Sequence, residues 1–456
     1  MEKKIPVKKN EEYIVNIIDY GYEGEGIAKI EDFTIFVHGA MKEEKVKILI
    51  VKVNSSHAFG KVLEIIEPAK SRKTSDCNTY KRCGGCNLRH INYEETLILK
   101  RDIVQNLVNK TLLQKVQIKQ TLGMESPYFY RNKAQYPVGY NKNNEIVTGV
   151  YAARSHEIIE LGHCAIQIPI SQEIAKFIIS FMKENGTTAY DEKTRKGAIR
   201  HIVIKVGIHT NEVMCVIVTN EKNIPKEKQL IDALKQYFPQ IKTIVKNINQ
   251  KDTNVIMGKE NEILYGDGYI QDKLGDFTFN ISPLSFYQIN PLQTEKLYNT
   301  AIKNANLTKE DVVLDLYCGI GTIGTFASQY VKQVYGIEIV EQAVEDAKEN
   351  AKLNNIDNIE FYCGDVEQIL ENVLEKENAL PNVIFVDPPR KGLDKHTVEN
   401  ILKIKPERLI YISCNPATLV RDLKEFEEIY EIKEIQPVDM FPFTSHVECV
   451  AVLQLK

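Results

Sequence analysis

The stretch VVLDLYCGIGTIG, residues 312–324, contains the pattern that decides the fold of the last third of the chain. Its apolar start is typical of a buried strand, and the strand leads into a glycine-rich turn that opens a helix. Glycines allow the backbone to approach a bound nucleotide closely. A second apolar run, residues 333–338, ends at Glu338, which lies 23 residues after Asp315. A carboxylate at that spacing suits hydrogen bonds from ribose hydroxyls.

The glycines at positions 319, 321 and 324 also satisfy G-x-G-x-x-G, so they alone leave a Rossmann dehydrogenase open. The residues before them differ, because Asp315 ends the strand four residues ahead of the first glycine. The whole run D-L-Y-C-G-x-G-x-x-G resembles the first motif of S-adenosylmethionine-dependent methyltransferases. This resemblance implies S-adenosylmethionine as the cofactor, with Tyr317 and Glu338 among the residues that bind it.

Strands and helices alternate from Leu307 onward, which predicts a parallel, doubly wound α/β sheet. Two of its strands end in reactive groups, since IFVDPPR (384–390) places Asp387 at a strand end and SCNPATL (413–419) places Cys414 at another. Ligands bind at that end of such sheets. Asp365 follows the third strand, where these enzymes bind adenine, and we rank it below Glu338. The predicted strands lie near 312–316, 333–338, 359–363, 383–387, 408–412 and 448–454, and two of the predicted helices cover 341–354 and 419–429.

These two stretches, together with His446-Val447-Glu448-Cys449, resemble the RNA (uracil-5-)-methyltransferase family, and the resemblance covers nearly the whole chain. The D-P-P-R and S-C-N-P-A-T-L motifs match residue for residue. The resemblance implies that Cys414 is a covalent nucleophile and Glu448 a base. It also implies that Gln288, in FYQIN (286–290), contacts S-adenosylmethionine and that Asp387 orients the cofactor. We expect the site, aided by the helix after Pro416, to favour the thiolate of Cys414.

Other activities fit the same sequence less well. An amino-methyltransferase needs no nucleophile at Cys414 and prefers an aromatic residue where Arg390 stands. A cytosine-5 enzyme typically carries a second cysteine after the proline of the fourth-strand motif, and Pro388-Pro389 is followed by none. A catalytically inactive RNA-binding or redox-sensing protein would not need both Cys414 and Glu448. A radical S-adenosylmethionine enzyme would need C-x3-C-x2-C, whereas the first cysteine gap here is five residues.

The composition sets broad limits on the protein class. A chain of 456 residues is long enough for about three domains. No apolar run approaches the roughly 18 residues of a membrane helix, and Met1–Lys4 precedes no apolar segment, so we predict a cytoplasmic protein without a secretory signal. A net charge of −4 means that any RNA site depends on local patches. Nine cysteines in such a chain indicate metal binding or catalysis rather than disulfides.

Residues 1–68 alternate apolar and polar positions between glycine turns, which predicts a small β-barrel. The runs GYEGEGIAKI (21–30) and FVHGA (36–40) resemble the start of the TRAM domain, an OB-like RNA-binding barrel. Basic and aromatic groups are mixed as in platforms for single-stranded RNA; they are Lys52, His57, Phe59 and Lys61.

Cysteines are concentrated in C-x5-C-G-G-C, which is Cys77, Cys83 and Cys86, and Cys164 is a candidate fourth ligand. Four thiolates suit either tetrahedral zinc or a 4Fe–4S cluster, and the spacing alone does not decide between them. The pattern resembles the cluster site of the ribosomal-RNA members of the family. The resemblance therefore favours a 4Fe–4S cluster over zinc, with a structural role.

The middle of the chain, residues 69–285, is expected to be an α+β domain that carries this cysteine cluster, ahead of the methyltransferase domain at 286–456. Residues 128–136 interleave aromatic and basic groups and indicate either an edge strand or an RNA surface on which Arg131 and Lys133 contact phosphates. Because the barrel and the cysteine loop are both present, we predict 23S ribosomal RNA as the substrate. A transfer-RNA uracil-5-methyltransferase and an amino-group RNA methyltransferase are the alternatives.

Overall fold

The computed structural model describes residues 5–153, 155–160, 162–377 and 380–456. The prediction that no secretory signal is present concerns residues 1–4, which lie outside this part. Within the described ranges, no helix combines the length and the apolar character that a membrane crossing requires. Three large sheets dominate the fold, with six, seven and eight strands in chain order.

The N-terminal sheet is strand-rich, as the glycine-punctuated alternation predicts. The two edge strands of the sheet follow each other in the chain. The residues between them continue the pairing on both sides, because the amide of Ile17 donates to the carbonyl of Glu44 and the amide of Ile18 donates to the carbonyl of Ile27. The sheet therefore curves round a small apolar core. Its strands are β1 (Glu12–Asn16), β2 (Asp19–Tyr20), β3 (Gly26–Ile30), β4 (Phe33–His38), β5 (Lys45–Val53) and β6 (His57–Glu67), in the spatial order β1-β5-β6-β4-β3-β2.

The seven-stranded sheet occupies the middle of the chain and is covered by helices on one face. The next elements are α1 (Tyr93–Thr111), β7 (Gln117–Ile118), β8 (Lys133–Tyr140), β9 (Ile146–Tyr151), β10 (Ile158–Glu160), α2 (Pro169–Asn185), β11 (Ile199–Val206), β12 (Val213–Thr219), α3 (Glu227–Tyr237), β13 (Ile241–Ile248) and β14 (Glu260–Tyr265). The sheet order is β10-β9-β8-β11-β12-β13-β14. A separate hairpin follows, formed by β15 (Ile270–Leu274) and β16 (Phe277–Ile281), in the segment where the sequence predicts a strand pair.

The edge-strand interpretation of residues 128–136 is wrong. Strand β8, which contains residues 133–136, pairs with β9 on one side and β11 on the other. The RNA-surface interpretation stays a prediction: Tyr130 and Tyr136 are 1% and 2% exposed, whereas Phe129 is 40% exposed. Burial lowers the pKa of Lys133, and the buried hydroxyl of Tyr136 donates to Gln167 at 2.7 Å.

The last sheet has the predicted α/β character, and five of its strands run parallel. The elements are α4 (Pro291–Ala305), β17 (Val312–Leu316), α5 (Thr322–Ser328), β18 (Gln333–Glu338), α6 (Glu341–Leu353), β19 (Ile359–Cys363), α7 (Val366–Glu377), β20 (Val383–Val386), α8 (Lys395–Ile404), β21 (Arg408–Ser413), α9 (Pro416–Phe426), β22 (Tyr430–Val438) and β23 (Glu448–Leu455). The spatial order is β19-β18-β17-β20-β21-β23-β22-β7.

The prediction of a wholly parallel sheet is wrong for the last strands of this sheet. Strand β23 runs antiparallel to both β21 and β22, and β22 itself was not predicted. The physical reason is the short connection between β22 and β23, because strands that are joined without a crossover helix pair antiparallel. This arrangement brings the start of β23 beside the end of β21.

Helix α1 and strand β7 pack on this last sheet, although the sequence assigned residues 93–118 to the central domain. Strand β7 extends the sheet by pairing in parallel with β22. The apolar side of α1, including Val104 and Val108, is buried in the same core as β20 and β21. A fully buried ion pair between Lys100 of α1 and Asp439 fixes the helix to the loop after β22.

Candidate active site

Cys414 lies directly after β21, at the strand end where the sequence places it. Asn415 caps α9, because its side-chain oxygen accepts a hydrogen bond from the amide of Ala417 at 3.1 Å. The amide nitrogen of the same side chain donates to the carbonyl of Arg390 at 3.0 Å. Pro416 occupies the first turn of the helix, where its missing N–H costs nothing. The side chain of Asn415 therefore fixes the turn that carries Cys414 to the start of α9 and to the carbonyl of Arg390.

Glu448 opens β23, the strand that pairs with β21 through Ser413 and Cys449. It is 4% exposed. Burial, reinforced by the negative charge of Asp387, raises the pKa of Glu448 to about 8, while Arg390 opposes the shift. A carboxylate with a raised pKa is a stronger base than an ordinary one.

The expectation that the site favours the thiolate of Cys414 is wrong. Burial, reinforced by the negative charges of Glu448 and Asp387, raises the pKa of this thiol to about 11, and only Arg390 among the charged neighbours lowers it. The start of α9 does not outweigh two carboxyl groups and partial burial. Removal of negative charge from Glu448 or Asp387 is therefore the change that makes Cys414 easier to ionise.

Cys414 opens onto a cavity of about 380 Å³. Its walls come from three separate parts of the chain: the N-terminal domain, the cysteine loop and the last sheet. Sequence reasoning missed the contributions of Tyr22, Glu23 and Asn87, because no local pattern marks them as neighbours of Cys414. The lining residues are Tyr22, Glu23, Asn87, Arg390, Cys414, Asn415, Pro416, Ser445, His446 and Val447.

A second, smaller cavity of about 40 Å³ lies at the glycine turn. Gln288, Tyr317 and Asp387 all line it, which brings together three of the four side chains that the sequence assigns to S-adenosylmethionine. The fourth, Glu338, shapes the turn, since its carboxylate accepts hydrogen bonds from the amides of Gly319 at 3.0 Å and Val340 at 2.9 Å.

The glycine turn leaves open space on one side of this cavity. Gly319 has a positive φ of 56°, and a side chain there would meet no atom within 4 Å, so open space lies over the turn. Asp387 is fully buried, and burial raises the pKa of its carboxyl to about 7. Asp365 follows β19 and adds its negative charge to the groups that raise the pKa of Tyr317.

Asn132 positions the loop that carries Gln288. Its side chain donates to the carbonyl of Gln288 at 2.9 Å, and its backbone amide donates to Ile289 at 3.0 Å. The sequence signal was present, because Asn132 lies within the aromatic and basic run 128–136. That run was interpreted as an RNA surface, whereas this asparagine connects the central sheet to the candidate cofactor loop.

All four predicted metal ligands line one cavity of about 250 Å³. Cys77, Cys83, Cys86 and Cys164 are all free thiols. Burial raises the pKa of Cys86 to about 12, and the nearby Cys164 and Cys83 raise it further. Among the described residues, however, no three histidine, cysteine or acidic side chains lie close enough together to hold a single metal ion.

A family model described as tRNA (uracil-5-)-methyltransferase matches residues 92–456, and a TRAM domain model matches residues 6–63. The chain belongs to this uracil-5-methyltransferase family. It is an S-adenosylmethionine-dependent RNA (uracil-5-)-methyltransferase with an N-terminal TRAM domain, which confirms the family inferred from D-P-P-R and S-C-N-P-A-T-L.

Relatives of this methyltransferase match along its whole length. It is 48% identical to an uncharacterized RNA methyltransferase of Clostridium acetobutylicum, over 100% of this chain and 99% of the relative. Identity to a similarly named protein of Oceanobacillus iheyensis is 46%, over 99% of this chain and 98% of that one. The solved structure of Pyrococcus abyssi tRNA (uracil-54, C5)-methyltransferase in complex with S-adenosyl-L-homocysteine superposes with a TM-score of 0.76 at 26% identity, covering 96% of this chain and 99% of that one.

Proposed function

We propose that this enzyme methylates carbon-5 of a uridine through a covalent bond between the sulfur of Cys414 and carbon-6 of the base. The observation that supports this most directly is the placement of a cavity-lining thiol beside a buried carboxyl group of raised pKa. A thiol nucleophile and a separate base are the two groups that uracil-5 chemistry requires.

Carbon-5 of uracil is a poor nucleophile until a thiolate adds to carbon-6 and converts the ring into an enolate. Cys414 therefore gives up its proton to solvent through the open cavity before its sulfur adds. S-adenosylmethionine supplies the methyl group from its sulfonium centre. Glu448 then accepts the proton that leaves carbon-5, and cleavage of the carbon–sulfur bond restores the aromatic ring and returns Cys414 as a thiolate. The uridine must leave its base stack to reach Cys414.

Four residues are proposed to hold S-adenosylmethionine: Gln288, Tyr317, Glu338 and Asp387. Three of them line the cavity at the glycine turn. Glu338 ends β18, where a carboxylate can accept hydrogen bonds from ribose hydroxyls. The Pyrococcus abyssi enzyme, which superposes over 96% of this chain, was solved with S-adenosyl-L-homocysteine, the demethylated form of the same compound.

The TRAM domain carries a cluster of rings on β4 and β6, which we call the ring platform: Phe36, His38, His57 and Phe59. The two strands are neighbours, and the ring of Phe59 lies 5.7 Å from Phe36 and 5.2 Å from His57. His38 stacks on Phe59 at 6.3 Å. Lys52 and Lys61 are exposed beside them. Rings flanked by lysines bind single-stranded RNA by stacking on bases and by contacting phosphates, so the ring platform is our proposed RNA-binding surface.

The proposed substrate is 23S ribosomal RNA, supported by the resemblance of the C-x5-C-G-G-C pattern to the ribosomal-RNA members of the family. Transfer RNA is a second candidate. The Pyrococcus abyssi enzyme acts on uracil-54 of transfer RNA by its name, and it aligns with 96% of this chain, including most of the TRAM region. The presence of the N-terminal domain is therefore not by itself an argument for ribosomal RNA.

We expect the enzyme to methylate protein-free 23S ribosomal RNA in preference to transfer RNA when both come from a strain that lacks its gene. A flipped uridine alone offers little selectivity, so other parts of the protein must select the RNA, and the cysteine loop is the part that resembles the ribosomal-RNA members of the family. Incorporation of labelled methyl groups into each RNA, followed by nucleoside analysis for 5-methyluridine, measures this. Preferential methylation of transfer RNA would overturn the ribosomal assignment and leave the chemistry standing.

The role of the ring platform in RNA binding can be tested with a substitution in the TRAM domain. Phe59→Ala should weaken binding of the preferred RNA, with a loss of roughly 1–3 kcal/mol if one base stacks on this ring. The affinity for S-adenosylmethionine should stay unchanged. Phe177→Ala is a matched control, because Phe177 packs against Tyr237 and Phe238 of the central domain, away from the ring platform.

The cysteine cavity is proposed to hold a 4Fe–4S cluster rather than zinc. The donor set fits, since four thiols line one cavity. The cluster is preferred to zinc because the C-x5-C-G-G-C pattern resembles the cluster site of the ribosomal-RNA members of the family. When bound, it would fix the loop that contains Asn87.

Protein purified without oxygen should be brown and contain iron and acid-labile sulfide. Cys83→Ser should lower the iron content and the melting temperature, because it removes one ligand from a structural site. Cys363→Ser is the matched control, since Cys363 is exposed and does not line the cavity. A colourless wild-type protein with one zinc per chain would contradict the cluster.

A further inference from the structure

The loop between β2 and β3 reaches from the TRAM domain into the catalytic cavity. We call residues 21–25 the barrel loop. The hydroxyl of Tyr22 donates a hydrogen bond of 2.7 Å to the side-chain oxygen of Asn415. That oxygen is the one that caps α9, directly after Cys414. Tyr22 is 46% exposed, and its partial burial raises the pKa of its hydroxyl.

A second set of hydrogen bonds holds the barrel loop in place through Asn87. The amide nitrogen of Asn87 donates to the carbonyl of Glu23 at 2.7 Å and to the hydroxyl of Ser445 at 3.0 Å. The side-chain oxygen of Asn87 accepts from the backbone amide of Ser445 at 2.9 Å. Ser445 lies three residues before Glu448. The barrel loop is therefore connected both to the turn of the proposed nucleophile and to the segment that leads to the proposed base.

The fit of the barrel loop against the rest of the protein is close. Gly24 has a φ of 81°, and a Cβ atom there would lie 2.7 Å from Leu88 and 3.3 Å from Ser445. On the opposite side, a Cβ atom on Gly21 would lie 3.2 Å from the ring of Phe36, which belongs to the ring platform. One short loop thus touches the proposed RNA-binding surface and the proposed catalytic turn.

We propose that Tyr22 is a positioning residue for methyl transfer: its hydroxyl holds the turn that carries Cys414, and its ring forms a wall of the cavity that receives the uridine. This inference rests on the proposed covalent mechanism. The TRAM domain then completes the active site instead of only anchoring RNA. Because the barrel loop adjoins the ring platform, RNA stacked there continues toward the cavity across Tyr22.

The test compares Tyr22→Phe, Tyr22→Ala and the control Tyr13→Phe in the full-length protein. Tyr13 belongs to the same domain, and its hydroxyl donates only to Glu11. The readout is the single-turnover rate at which the protein forms a covalent adduct with 5-fluorouridine RNA, measured together with RNA affinity and melting temperature. Tyr22→Phe should slow adduct formation by about tenfold and Tyr22→Ala by about a hundredfold. The melting temperature of both variants, and the RNA affinity of Tyr22→Phe, which keeps the ring, should stay near those of Tyr13→Phe.

Wild-type rates of adduct formation in both Tyr22 variants would overturn the proposal, as would a slowdown that only follows weaker RNA binding or a lower melting temperature. The proposed function fails separately. If the wild-type protein transfers methyl groups without forming any adduct, the covalent mechanism falls. The role of Tyr22 is then judged by the rate of methyl transfer at saturating RNA, which should still drop in Tyr22→Phe.

Discussion

Replacement of Cys414 by alanine should abolish methyl transfer and, with it, every covalent adduct with 5-fluorouridine RNA. The rate should fall by a factor on the order of 10⁴ or more, as it does when a covalent nucleophile is removed from other enzymes. No other thiol lines the cavity of about 380 Å³ among the described residues. Fluorine at carbon-5 cannot leave as a proton does, so the wild-type adduct persists and can be counted on a denaturing gel.

Cys215→Ala is the matched control for this variant. Cys215 is a buried thiol in the core of the central sheet, where burial raises its pKa to about 12 and makes it inert. Its replacement should leave both methyl transfer and the adduct intact. Appreciable transfer by Cys414→Ala would contradict the uracil-5 mechanism and favour an amino-methyltransferase, which needs no cysteine nucleophile.

Replacement of Glu448 by glutamine should give the opposite pattern, a covalent adduct that forms and then persists with ordinary uridine RNA. Without a base for the carbon-5 proton, release of the product should slow by roughly 10²–10⁴-fold. A stable protein–RNA adduct that carries the transferred methyl group would demonstrate this directly. Immediate turnover by Glu448→Gln would show that another group is the base.

The raised pKa of Glu448 determines how the activity of the wild-type protein should depend on pH, and how that of Glu448→Gln should differ. The base must be ionised to accept a proton, and the pKa of Glu448 is raised to about 8. The wild-type kcat/KM should therefore increase as the pH rises through about 8, whereas Glu448→Gln should lack that step. The loss of the Glu448 charge also lowers the pKa of Cys414, so above pH 8 the variant should react faster with iodoacetamide than the wild-type protein.

The sequence predicts those parts of the site that contiguous residues determine. An apolar strand followed by a turn is a local pattern, so Cys414, Asp387 and Glu338 could be placed at strand ends without a structure. The family motifs then predicted which of these ends are catalytic. The α/β character of the last sheet was predictable for the same reason.

The remaining features depend on contacts that no local pattern records. Tyr22 and Asn415 are separated by 393 residues, and their hydrogen bond arises only when the TRAM domain docks on the last sheet. The sequence of residues 133–136 does not distinguish an edge strand from an internal one, which is determined by the pairing of β8 with β9 and β11. The raised pKa of Cys414 comes largely from burial and from carboxyl groups on two other strands, which their order in the chain does not reveal.

The strand order of the last sheet has a consequence for how the protein is made. Residues around β7 leave the ribosome early. The side-chain oxygen of Gln114, however, accepts a hydrogen bond from the amide of Ile432, which is synthesised 318 residues later. Val104 and Val108 of α1 therefore lack their native partners in the last sheet during most of translation, whereas Leu99 and Ile103 can already pack against Tyr20 and Leu88. Completion of the last sheet must wait until β22 and β23 have been synthesised, and until then a chaperone bound to the nascent chain can protect Val104 and Val108 from aggregation.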